Sequence, residues 1–417
     1  MSVSPFGVSP LHSDLLPNGV QVLSEEIPGV RSVSVGVWVR QGAAHEGPQE
    51  MGASHLLEHL VFKGTTRRTA RDLALALEGL GGSLDAYTSR EHTSFQARVL
   101  DEHLSEALDV LADLTLAPLL RPEDLDLERE VVLEEISTVE DTPDDLVFEL
   151  HGERLWEGHP YGHSILGTRE TVAATSAETL RRLHRERYVG RNLVLAAAGN
   201  VQHGPLLEAV TRLFGGASPG ERNDRVPALP EATRGDERVR RGGAQSHLVF
   251  GTDAPPHADP RRYALVLLSS ALGGGMSSRL FQRIREELAL AYTVYSFQSF
   301  YALAGLTGVY VGTRPAWEQR AVDAVREELA RVAREGLPES ELEQTKRQVK
   351  GQIMLSLEST GARLHRLAGF ALYEEPFLDL DELLARIDAV SGEEVAAAAA
   401  FYEPDRQLLL RLGPEGE

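Results

Sequence analysis

The 417-residue chain contains no cysteine. Disulfides and thiolate ligands are therefore excluded, and any bound transition metal must be held by histidine, aspartate or glutamate. Lysine is nearly missing, present only as Lys63, Lys346 and Lys350. Arginine takes its place, a bias that coding composition explains more simply than heat adaptation. Positive charge is short overall, with 42 Lys+Arg against 63 Asp+Glu, a net charge of -21 and a pI near 5.2. A surface of that sign repels nucleic acid and anionic membranes, so neither is expected as a partner. No apolar run approaches the ~18 residues of a membrane span. Met1 to Gly19 has neither a basic n-region nor an apolar h-region, and the default expectation is a cytoplasmic protein. What is present, 42% hydrophobic and 25% charged residues, fits a soluble globular chain whose length suggests about two domains.

The most informative stretch is His55-Leu56-Leu57-Glu58-His59, inside the apolar, helix-like run Ala53 to Phe62. Residues four apart share a helix face, so His55 and His59 project together and can hold one zinc ion. Glu58, on the same face, is placed to reach a metal-bound water. This H-x-x-E-H pattern is the inverted form of the H-E-x-x-H zinc peptidase motif. Two histidines are one ligand short of the usual three. The acidic helix from Pro122 to Glu140 is the best source of the third. Its Glu128, Val132, Glu135 and Val139 fall on one face, and Glu130 and Glu134 on a neighbouring one. Periodicity does not choose between Glu134 and Glu135.

Periodicity predicts strands over Val33 to Val39, Thr93 to Leu100 and Asn192 to Ala198, and helices over Thr69 to Leu80, Glu102 to Leu116 and Ser176 to Tyr188. The Gly-, Pro- and charge-rich segment from Gly215 to Gly243 then reads as a linker. The pattern restarts after it: strand Ser246 to Gly251, helices Pro260 to Leu272 and Ser277 to Leu288, strands Tyr292 to Tyr301 and Gly305 to Gly312, further helices, and a last strand Gln407 to Leu412. Both halves place Ala-Tyr-Thr after their second helix, at Ala86-Tyr87-Thr88 and Ala291-Tyr292-Thr293. A repeat of roughly 200 residues indicates domain duplication. The expected division is residues 1–218 as a metal-binding domain, 219–243 as linker and 244–417 as its homologue.

His55 to His59, the pair Glu128-x6-Glu135, the duplicated halves and Gly273-Gly274-Gly275-Met276-Ser277-Ser278-Arg279-Leu280, all in order, resemble the pitrilysin/insulinase (M16) family of zinc peptidases. The likeness is greatest to short bacterial members related to mitochondrial processing peptidase. It implies an α+β fold of two tandem homologous domains, each a mixed sheet covered by helices, forming half of a clam-shell. It also implies one zinc per chain on His55, His59 and Glu135, with Glu128 in support and Glu58 as general base. Arg285 and Tyr292 match the family's R-x6-Y pair, which holds substrate and donates to the developing oxyanion.

Asp85, Ala86, Tyr87 and Thr88 match the family's substrate-binding edge strand, although most members carry Asn where this chain has Asp85. The implied reaction is hydrolysis of unfolded or presequence-like peptides. The implied assembly is a homodimer, or a heterodimer with a paralogue, in which the Arg/Tyr pair of one chain serves the other's zinc. The alternative is a non-catalytic partner subunit, but such subunits typically lose one of the motifs retained here. The run Gly273 to Gly275 lacks the G-K-[ST] of a phosphate loop and reads as a flexible substrate-side or domain-contact loop. His92, His151, His159 and His163 are not at ligand spacing, and His159-Pro160-Tyr161-Gly162 reads as a turn near the site.

Overall fold

The structure is a computed structural model that describes residues 11–414. Two compact units divide the chain. The first comprises residues up to Ile136, His163–Val226 and Ser356–Asp379, and the second Ser137–Gly162, Pro227–Leu355 and Leu380 onward.

The first unit carries a six-stranded sheet built from β1 (His12–Leu15), β2 (Gln21–Glu26), β3 (Ser32–Val39), β4 (Ser83–Thr88), β5 (Thr93–Leu100) and β6 (Leu193–Gly199), in the order β1-β2-β6-β3-β5-β4. The β2–β6 pair is parallel and its other neighbours are antiparallel. The helices α1 (Ala53–Val61), α2 (Ala70–Glu78) and α3 (Leu104–Leu116) contribute to the core over one face, which includes Val33, Val35, Val37, Leu56, Leu57, Phe95 and Leu111. The opposite face holds Leu23, Trp38, Val194 and Ala196 and is covered by the helix Thr360–Leu372 through Leu364, Leu367 and Ala368. That is why β3 is buried along nearly its whole length rather than on alternate residues. The helix α4 (Pro122–Asp141) runs through the division between the units at residues 136 and 137.

The second unit carries β7 (Gly235–Arg240), β8 (Ser246–Ala254), β9 (Ala291–Phe300), β10 (Gly305–Thr313) and β11 (Leu408–Gly413), in the order β7-β11-β8-β10-β9. Only β7–β11 is parallel. Strand for strand this repeats β2-β6-β3-β5-β4, so the duplication seen in the sequence is a duplication of topology. Helix α5 (Pro143–Leu155) covers one face: Val147 joins Val249, Leu410 and Leu412, and His151 Nε2 donates to Leu408 O at 3.2 Å.

Three expectations need correction. The boundary at 218/244 does not match the units. Each unit takes a segment, 137–162 or 356–379, from beyond its expected span. The expected linker ends in strand β7, whose charged sequence Gly-Asp-Glu-Arg-Val-Arg gave no apolar alternation because it is a largely exposed edge strand. The helix expected from Ser277 is a π-helical segment, Phe281–Glu287.

Candidate metal centre

Helix α1 starts abruptly. Gly52 precedes it with φ +86, and a Cβ there would lie 2.4 Å from Leu166 O, so only glycine fits. The buried Glu46 carboxylate accepts from Gly52 N at 2.8 Å and Ser54 N at 2.6 Å, which satisfies N–H groups of the first turn. Gln41 Nε2 donates to Ser54 Oγ at 2.9 Å. Leu56, Leu57, Leu60 and Val61 anchor the helix in the core, leaving His55 and His59 on the opposite side, with ring centroids 4.6 Å apart.

The second wall is α4, where Glu128 and Glu135 are two turns apart. His55 Nε2 lies 3.7 Å from Glu135 Oε2, and His59 Nε2 lies 3.7 Å from Glu135 Oε1. One donor atom from each of His55, His59 and Glu135 falls within 4.8 Å of the others. Glu134 and Glu130 are exposed, whereas Glu128 is buried. Of the two carboxylates that helical periodicity left equivalent, Glu135 is the one that lies beside both histidines. Glu128 Oε2 accepts from His59 Nδ1 at 3.0 Å and Glu128 Oε1 pairs with Lys63 Nζ at 2.5 Å. Protonation of His59 at Nδ1 leaves Nε2 with its lone pair toward Glu135, the tautomer a metal requires. Burial, with the neighbouring His59, pushes the His55 imidazole down to about 4, so it is neutral near pH 7. Among the described residues, Glu135 Oε2 is buried with no hydrogen-bond partner. The imidazoles of His55 and His59 and a carboxylate oxygen of Glu135 are a donor set that fits a zinc ion.

Glu58 is 9% exposed. Burial pushes its carboxyl upward, opposed by the Thr88 hydroxyl, which donates to Oε2 at 2.6 Å, and by His59; Glu135 adds to the upward shift. Thr88 ends β4, the last strand of its sheet. The Ser89 N–H bond to His92 O, at 2.8 Å, sets the phase of the β4–β5 ladder. Leu84, Ala86 and Thr88 therefore turn their main-chain groups to the open edge, while those of Asp85 and Tyr87 bond to β5. Of the residues expected to meet substrate, Ala86 and Thr88 thus face that edge, as does Leu84, whereas Asp85 and Tyr87 do not. Tyr87 faces the other side, with its hydroxyl 3.3 Å from Trp38 Nε1 and 3.2 Å from His92 Nε2.

In the second unit, the Arg285 guanidinium lies over the rings of Phe281, at 4.6 Å, and Tyr292, at 4.4 Å. Tyr292 is 76% exposed. The expected pair is thus in contact, as a cation–π stack. Gly273 ends the helix Arg261–Gly273 rather than forming a loop, and a Cβ there would be 2.2 Å from Ser296 N, so close packing on β9 demands glycine. His159 to Gly162 form a turn packed within the second unit, where Tyr161 meets Trp156 and Tyr301. Sequence reasoning passed over Glu46, Gln41 and Lys63. Lys63 had a signal, since it stands one turn after His59 on a chain with almost no lysine. Glu46 had none beyond preceding a helix.

The family described as Insulinase (Peptidase family M16) matches residues 21–169, and the Peptidase M16 inactive domain matches residues 174–349. An uncharacterized zinc protease of Streptomyces coelicolor is 38% identical over 98% of this chain and 90% of its own length. The uncharacterized zinc protease YmxG of Bacillus subtilis is 38% identical over 96% and 97%. Among solved structures, a peptidase M16 inactive domain from Pseudomonas fluorescens superposes with a TM-score of 0.92 at 20% identity, covering 97% of this chain and 98% of that one. A protease from Helicobacter pylori does so with a TM-score of 0.90 at 21% identity, covering 98% and 100%. The last two show likeness of fold, and the first two likeness of sequence along nearly the whole chain. The chain belongs to the M16, insulinase-type, peptidase family.

Proposed function

We propose that the protein is a zinc-dependent endopeptidase acting on unfolded or presequence-like peptides. The observation that carries this reading is the convergence of His55, His59 and Glu135, with Glu58 beside them and an open strand edge within one hydrogen bond of Glu58. His55, His59 and Glu135 would hold one zinc ion, which when bound polarises the scissile carbonyl and acidifies water. Glu58 takes a proton from the attacking water and returns it to the leaving amine. Glu128, itself paired with Lys63, keeps the His59 ring oriented. The β4 edge receives the substrate as an added strand through the main chain of Leu84, Ala86 and Thr88. Arg285 and Tyr292 donate to the oxyanion in a composite site completed by a second copy of the chain in a homodimer, or by a paralogue.

Zinc content by elemental analysis, together with cleavage of an unstructured peptide, tests the reading. The purified chain should bind one zinc and lose cleavage on chelation. Glu58→Gln should retain zinc while turnover falls ~100-fold or more. Normal cleavage by Glu58→Gln would remove the assignment of the base. A zinc-free, inactive chain would favour a non-catalytic partner subunit.

A further inference from the structure

Thr88 stands at two junctions. Its main-chain groups face the open edge of β4, and its side chain reaches Glu58. The direction of that side-chain bond is fixed. Thr88 Oγ1 is 3.4 Å from Thr93 Oγ1, but the buried Thr93 hydroxyl donates its single proton to Gln41 O at 2.9 Å. Thr93 can then only accept from Thr88, and the 2.6 Å contact to Glu58 Oε2 takes the Thr88 proton in preference to that 3.4 Å one. Thr88 and Thr93 are directly opposed residues whose main chains do not bond to each other, the arrangement that brings side chains closest across a ladder. Gln41 in turn donates to Ser54 at the start of α1. The hydroxyl is thus held between the strand edge and the helix that carries the metal ligands.

We infer that Thr88 is a positioning residue that couples occupancy of the β4 edge to the orientation of Glu58. The inference rests on the reading of Glu58 as general base. A peptide that adds to the edge pairs with the Thr88 main chain and holds the end of β4 in place. The Thr88 hydroxyl then fixes Oε2 and leaves Oε1 as the oxygen that takes the proton. Peptides able to pair as a strand are selected twice, once in binding and once in the placement of the base.

The test compares Thr88→Val, which keeps the β-branched shape without the hydroxyl, with Thr88→Ser, which keeps the hydroxyl. Each zinc-loaded variant is assayed on the same unstructured peptide and crystallised. Thr88→Val should lower kcat about 10-fold or more, since small misplacements of a reacting group cost that much. KM should change less than about threefold because the edge main chain is intact. Zinc content should be unchanged, and Thr88→Ser should restore kcat to within a few-fold. In the crystals, the Glu58 carboxylate should leave its position in Thr88→Val and keep it in Thr88→Ser. Wild-type kcat in Thr88→Val, failure of Thr88→Ser to restore it, or an unmoved Glu58 in Thr88→Val would overturn the inference. Displacement of Glu58 in Thr88→Val, in a protein whose wild type cleaves nothing, would uphold the positioning role and sink the peptidase reading instead.

Discussion

Glu128 shows how a buried charge becomes useful. Burying a carboxylate is costly unless it is paired, and Glu128, only 5% exposed, is paired with both His59 and Lys63. The pairing sets the His59 tautomer and ring angle, and partners of this kind typically carry 10- to 100-fold in metal affinity. Glu128→Gln should therefore weaken zinc binding by about that factor in a chelator competition, because a neutral amide orients the ring less strongly than a carboxylate does. The metal-free melting temperature should fall too, as Lys63 loses its counter-charge. Zinc affinity equal to wild type would mean that Glu128 only neutralises Lys63. The sequence offered the E-x6-E spacing and the resemblance offered a role, but only the fold shows Glu135 beside the two histidines and Glu134 exposed. Residues 134 and 135 differ by 100° around one helix, and that rotation has no meaning until α1 fixes which side is inside.

Helix α1 was legible as a helix from its apolar spacing, yet its start depends on a residue no periodicity marks. Glu46 lies outside the helix and accepts from two of its first N–H groups. Burial raises this carboxyl to about 7 despite those donors. The folded chain therefore binds a proton that the unfolded chain, near 4.5, has released. This proton favours folding fully below pH 4.5, and the advantage is lost as pH rises through about 7. Glu46→Gln removes the titration while keeping the shape. The difference in unfolding free energy between wild type and Glu46→Gln should therefore move by up to ~3 kcal/mol in the variant's favour between pH 4.5 and 7.5. Denaturant melts at the two pH values measure it, and the buried histidines cancel in the comparison. A pH-independent difference would show that the carboxylate stays ionised throughout. Strand β7 was illegible for a different reason: its burial pattern is almost wholly exposed, so main-chain pairing with β11 forms it without an apolar face to announce it.

At the scale of the whole molecule, the duplication was readable and the exchange of helices was not. Repeat spacing reports copies, whereas which sheet a helix covers depends on long-range packing. The helix Thr360–Leu372 belongs to the first unit. Arg40 donates to Ala371 O and Leu372 O at its end, both at 2.6 Å, Thr360 bonds Ser34 at 2.8 Å, and Arg363 pairs with the buried Glu25. Leu364 and Leu367 are fully buried against Trp38 and Val194. Each such leucine is worth about 1.5–3 kcal/mol, and the whole net stability of a domain is only ~5–15 kcal/mol. A fragment of residues 1–226, close to the expected first domain, would leave this sheet face bare and Glu25 without its partner. It should be partly unfolded, bind the dye ANS strongly and lack a cooperative melt. Adding residues 356–379, through a short Gly/Ser linker, should restore the melt and the binding of zinc. A cooperative melt by residues 1–226 alone would mean that the helix is an accessory and that the sheet's inner core suffices. The expected failure and rescue would instead make the two units one folding problem, because the chain must pass through the second unit before the first has its last helix.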